Sequence, residues 1–111
     1  MTVEITTNRV GTTAVVTPHG DLDLVTSPEF RSAVDAAIDD GAAAMVIDLS
    51  DAGFLDSTAL GVLLSVHRRL AGRLAVAGAQ PVVRRLFDVT QMGTVLRVRA
   101  TVDEALASLT D

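Results

Sequence analysis

Hydrophobic and polar positions along the chain alternate between two periods. Val3 to Thr7 and Thr13 to Thr17 are short β-branched runs, separated by a turn that holds Asn8 and Gly11. That pattern predicts an antiparallel strand pair. A polar loop, TPHGDLD at 17–23, follows and is closed by Pro18 and Gly20. The period then changes to that of a helix in TSPEFRSAVDAAIDDG, where Phe30, Val34, Ala37 and Ile38 share one face. Ser27 is placed to cap this helix, Pro28 suits its first turn, Glu29 favours its N-terminal dipole and Gly41 stops it.

The second half repeats the alternation. AAAMVIDLS at 42–50 is a continuous apolar run ending in Asp48, the pattern of a buried central strand. Leu60 to Leu70 predicts a second helix, and RLAVAG at 73–78 the next strand. Pro81 opens a third helix with Val82, Val83, Leu86 and Phe87 on its inner side. Val95 to Val98 predicts a last short strand. TVDEAL opens a C-terminal helix, in which Thr101 and Glu104 form a capping box. The order β-β-α-β-α-β-α-β-α predicts an α/β domain: a mixed, mostly parallel sheet of about five strands with four helices packed on it. No linker, repeat or low-complexity tract divides residues 1–111, so a single domain is expected.

Composition narrows the function. The 111 residues contain no cysteine, which excludes disulfides and zinc–thiolate sites. Net charge is −5 and every basic residue is arginine. An acidic chain without Trp or Tyr lacks both the basic face and the stacking platforms that nucleic acid requires, so a protein partner, and a basic one, fits better. The N-terminus has no signal-peptide pattern, and no apolar stretch approaches the roughly 20 residues that span a bilayer. A soluble, cytoplasmic domain without direct membrane contact is expected.

The chemistry-bearing positions argue against catalysis. No phosphate-cradling glycine motif is present, and His19 and His67 lack metal-ligand spacing. A triad drawn from Ser57, His67 and Asp48 fails on distance, because ten helical residues separate Ser57 from His67 by about 15 Å of rise. No catalytic residue, metal or cofactor is therefore assigned.

The stretch GFLDSTALGVLL at 53–64 is different. Projected onto a helix, Ala59, Leu60, Val62, Leu63, Val66, His67 and Leu70 cover the inner side. Ser57, Gly61, Leu64 and Arg68 form a strip on the outer side, spaced four, three and four. A glycine inside a helix costs about 1 kcal/mol relative to alanine, so Gly61 suggests a backbone that must be approached closely. Two readings stay open. In one, Asp56 or Ser57 is only the N-cap and Gly61 only relieves crowding against a neighbouring strand. In the other, the strip is a docking surface with a modifiable hydroxyl at its end. Asp21 and Asp23 are either solubilising loop residues or an acidic patch beside Ser57.

Four stretches carry a resemblance: GDLD at 20–23, VIDLSDAGFLDSTALGVL at 46–63, GAQPVVRRLFDVTQM at 78–92 and VDEAL at 102–106. They occur in order over nearly the whole chain. On them the chain resembles the anti-sigma factor antagonists, single-domain members of the STAS family. The resemblance implies a STAS-like fold and partner switching. The unmodified antagonist binds an anti-sigma factor that is also a serine kinase, and so frees a sigma factor. The kinase supplies ATP and magnesium and phosphorylates the antagonist at the serine after the aspartate, here Ser57. A phosphatase reverses this. Asp23 of the G-x-L-D loop would lie near the acceptor, with Asp56 and Thr58 flanking it. Ala59 stands where many members have glycine, which would trim the approach of the kinase loop. STAS subunits of transport or sensory complexes, not switched by phosphate, are the alternative implied. A phosphate at Ser57 would sit at a helix N-terminus, where the dipole and free N–H groups accept an anion, so its cost is expected at the interface.

Overall fold

The computed structural model describes residues 2–110. Strands β1 (Glu4–Val10) and β2 (Thr13–His19) form the expected antiparallel pair. After them come α1 (Ser27–Asp39), β3 (Ala44–Asp48), α2 (Ser57–Arg69), β4 (Leu74–Ala77), α3 (Pro81–Val89), β5 (Val98–Arg99) and α4 (Val102–Ser108). The sheet order is β1-β2-β3-β4-β5, and every pairing after the hairpin is parallel. Helical crossovers make parallel pairing possible, since a parallel neighbour cannot be reached through a tight turn.

The two faces of the sheet are covered unequally. Ala14, Val16, Met45, Ile47, Leu74 and Val76 face the larger core, where Phe30 and Val34 of α1, Leu63 and Val66 of α2, and Val83 and Phe87 of α3 cover them. Val15, Ala44, Val46, Ala75 and Ala77 face the other way, onto Ala105 and Leu109 at the α4 end. Strands β3 and β4 are thus buried on both sides. This is why their sequences are unbroken apolar runs with no alternation.

Several local expectations are corrected. Ser27 does not cap α1; Thr26 holds the N-cap position without a side-chain cap bond, and Ser27 is buried inside the first turn. The loop does not close at Pro18, because β2 continues through Pro18 to His19, past the stretch that pairs with β3. Helix α2 starts at Ser57, three residues before Leu60. Val82 is 63% exposed and faces outward, while Val83 and Phe87 make the inner side of α3. The last strand is confined to Val98–Arg99, because residues 90–97 form successive turns after α3. Of the α4 capping box, the Thr101 hydroxyl accepts from Glu104 N at 3.1 Å.

Candidate functional site

Two loops at the C-terminal end of the sheet build the site. The chain leaves β3 at Asp48, whose carboxylate accepts from Ser50 N at 3.1 Å and starts the turn. Gly78, at the exit of β4, packs against this turn. Its φ is +68°, and a Cβ there would lie 3.1 Å from Ser50 Cβ. No other residue fits without strain. Further along, Leu55 forms a parallel bridge with Leu22. Leu22 N donates to Phe54 O at 3.0 Å and Asp56 N to Leu22 O at 3.1 Å. Leu22 and Leu55 are both buried, so the loops after β2 and β3 share one apolar anchor. Asp23 and Asp56 each follow directly after it.

Asp56 is the N-cap of α2. Its Oδ1 accepts from Thr58 N at 2.9 Å, from Ala59 N at 3.3 Å and from the Thr58 hydroxyl. The Thr58 hydroxyl, followed by these backbone N–H groups, holds the Asp56 carboxyl below its ordinary value against the opposing pull of desolvation. The Thr58 proton is committed to Asp56. Ser27 Oγ, 3.0 Å from Thr58 Oγ1, must therefore donate its own. A relay from Ser27 through Thr58 to Asp56 ties the first turns of α1 and α2 together.

Ser57 stands apart from that relay. It is exposed at the first helical position, and its hydroxyl makes no hydrogen bond to any described residue. Along α2, Gly61 and Leu64 are half-buried and Arg68 is exposed, so the strip lies on the outward side. A Cβ at Gly61 would meet nothing within 4 Å. Internal crowding therefore does not explain this glycine. The buried side of α2 is Ala59, Leu60, Val62, Leu63 and Val66, with Leu70 just beyond, as the helical projection placed them; His67 is only half-buried. Because Ala59 is fully buried, it cannot trim the approach of another protein, contrary to the expectation from the resemblance.

The acidic loop has a structural role as well. Asp23 Oδ1 accepts from Val25 N at 2.9 Å and Thr26 N at 3.0 Å, which folds the loop into α1. Thr26 Oγ1 accepts from Asp23 N and donates to Asp21 O, each at 2.9 Å. Asp21 is exposed, and its Oδ1 would lie 3.2 Å from a Cβ at Gly53. Asp21, Asp23 and Asp56 thus come from two loops joined at one bridge. His19 lies outside this group, with its Nδ1 2.8 Å from Asp51 Oδ2. Among the described residues no cluster of His, Cys, Asp or Glu has metal-binding geometry.

Sequence reasoning missed an apolar rim. Leu24 is 72% exposed, Val25 61% and Phe54 45%. Leu24 also lines a shallow groove of 240 Å³ between α1 and α2, with Ser27, Pro28, Arg31, Thr58 and Val62. The available signal was an aliphatic pair, Leu24-Val25, in a polar loop where neither helix nor strand period asks for one. Other exposed apolar side chains, Val10, Val82, Val89 and Val95, lie outside these two loops.

Comparison with known proteins places this arrangement. RsfB, an anti-sigma-F factor antagonist of Mycobacterium tuberculosis, is 28% identical over 98 residues, covering 86% of this chain and 80% of that protein. An anti-sigma factor antagonist from Mycobacterium paratuberculosis superposes with a TM-score of 0.89 at 29% identity, over 98% of this chain and 95% of that one. Unphosphorylated SpoIIAA, also an anti-sigma factor antagonist, gives 0.79 at 25% identity, over 96% of each chain. Its phosphorylated form from Bacillus gives 0.71 at 26%, over 96% of this chain and 99% of that one. The profile of the STAS domain matches residues 4–105, and the chain belongs to the STAS domain family.

Proposed function

We propose that this chain is a cytoplasmic anti-sigma factor antagonist whose association with an anti-sigma factor kinase is switched by phosphorylation of Ser57. The kinase brings ATP and magnesium, and a separate phosphatase restores the free hydroxyl. The observation that carries this reading is the contrast between adjacent hydroxyls. Thr58 is consumed by Asp56 and Ser27, whereas Ser57 is exposed and unbonded. A kinase approaching this helix end meets one available oxygen. Around it lie Asp21, Asp23 and Asp56, the rim of Leu24 and Phe54, and the strip of Gly61, Leu64 and Arg68, which together form the partner surface.

The cap refines how phosphate acts. The N–H groups of Thr58 and Ala59, which a bare helix N-terminus would offer to an anion, are already bonded to Asp56. A phosphate on Ser57 therefore stays outside the helix end, beside an ionised carboxylate. It adds about −1.5 to −2 charges to a surface that a partner must desolvate. A hundredfold loss of affinity needs about 2.7 kcal/mol, which one poorly compensated charge at an interface supplies. The fold need not change.

Incubating the protein with ATP, magnesium and a candidate anti-sigma kinase tests the assignment. Mass spectrometry should find a single phosphoryl group on Ser57, and Ser57→Ala should bind the kinase yet take none. Phosphate on Thr58 in the folded protein would contradict the reading.

A further inference from the structure

Two cavities lie beside α3 and β5, the last strand of the sheet. Between α3, the turns after it and β5 is a cavity of 520 Å³, lined by Arg84, Phe87, Asp88, Gln91, Thr94 and Val98 among others. A second cavity of 300 Å³ adjoins it, lined by Gly78, Ala79, Arg84, Val98, Arg99 and Ala100. Arg84 and Val98 line both. Of these residues only Gly78 touches the turn that leads toward Ser57. The volumes fall in the range of small-ligand sites, which are largely apolar with a few placed polar groups.

The lining has a definite chemistry. Half-buried Val98 gives the larger cavity an apolar wall, Phe87 lies sealed in the core beneath it, and Arg84 and Arg99 both line the second cavity. The Arg84 side chain makes no hydrogen bond or ion pair to any described residue. Nearby arginines are bonded to carbonyl oxygens: Arg73 to Leu109 O, Arg97 to Ser108 O, and Arg99 to Val98 O at 3.1 Å, through Nη1 alone. Charge along the chain is strongly segregated: residues 57–101 carry seven arginines and one carboxylate, Asp88, against two arginines and ten carboxylates in residues 1–56. The turns that line the cavity begin and end on non-glycine residues with left-handed backbone, Gln91 at φ +61° and Arg97 at φ +42°. Such conformations gather at ligand clamps.

We propose that this cleft binds a small organic monoanion with an apolar body, its carboxylate held by Arg84 with Arg99 beside it. The body lies against Val98 and the backbone at Gly93 in the larger cavity. Asp88, on the wall of that cavity, rejects a second anionic group, so the ligand carries its charge at one end.

Decanoate is the probe, with 1-decanol and acetate as controls for the body and the head alone. Amide NMR titration of the full chain should give saturable shifts at Phe87, Gly93 and Val98. Arg84→Gln, which alters an exposed side chain, should weaken decanoate about tenfold, the scale of a lost charge-assisted bond. Both controls should bind about as much more weakly. Absence of saturable shifts, shifts confined to other residues, or equal binding of decanoate and 1-decanol would each overturn the proposal. So would Arg84-dependent sedimentation with phosphatidylglycerol vesicles in the absence of decanoate shifts, which would assign the arginines to a bilayer surface.

Discussion

At the scale of single residues, Asp56 caps α2 beside the proposed phosphorylation site. Its carboxyl is held below the ordinary value of 3.8, chiefly by the Thr58 hydroxyl. The ionised form is the one that caps. Its stabilisation is therefore complete above the ordinary carboxylate range and is lost as pH falls through the lowered folded-state value. Asp56→Ala should cost about 1 kcal/mol at neutral pH, and urea unfolding should show the gap to wild type narrowing as pH falls below the ordinary carboxylate range. Ser57→Ala, by contrast, removes a hydroxyl with no internal bond and should change stability by less than about 0.5 kcal/mol in the same assay. A large loss there would mean the hydroxyl is structural. Sequence pattern alone left Asp56 and Ser57 interchangeable as caps. The difference between them is a rotamer and a hydrogen bond, which no periodicity encodes.

Among elements, α2 shows how a helix serves two surfaces at once. Its buried face was legible because burial repeats at the helical period, and Leu60, Val62, Leu63 and Val66 obey it. The elements that were misplaced lack such a repeat. In α3, Val82 and Val83 are adjacent and equally apolar, so only packing decides which is inside. At β5, two residues pair and the turns before them are fixed by tertiary contacts. Two glycines separate function from fold. Gly61 occupies open space in a helix interior, so Gly61→Ala should raise stability by up to about 1 kcal/mol while its methyl weakens partner binding. Gly78 is left-handed and pressed against Ser50, so Gly78→Ala should cost about 1–3 kcal/mol and affect binding only through stability. Denaturation midpoints beside binding titrations would resolve the two patterns. Equal binding by Gly61→Ala would remove that glycine from the docking strip.

For the whole molecule, the sheet is the scaffold and its C-terminal end carries the loops of the proposed partner surface. The order of elements was readable from alternating periods, and with it the mixed, mostly parallel sheet. The exposed apolar rim of Leu24, Val25 and Phe54 was not, because these loop residues answer to no burial period of the chain's own. Leu64→Arg should leave the domain folded and abolish association, since Leu64 is only half-buried and lies on the outer strip. The account stands or falls on whether modification acts at the surface alone. The most direct measurement compares unmodified and Ser57-phosphorylated protein in calorimetric titration against the anti-sigma factor, with amide NMR spectra of both free forms. Affinity should drop about a hundredfold or more, with spectral changes confined to the loops around Ser57 and the first turn of α2. Equal affinity of the two forms, or shifts spread through β3, β4 and the packed core, would contradict it.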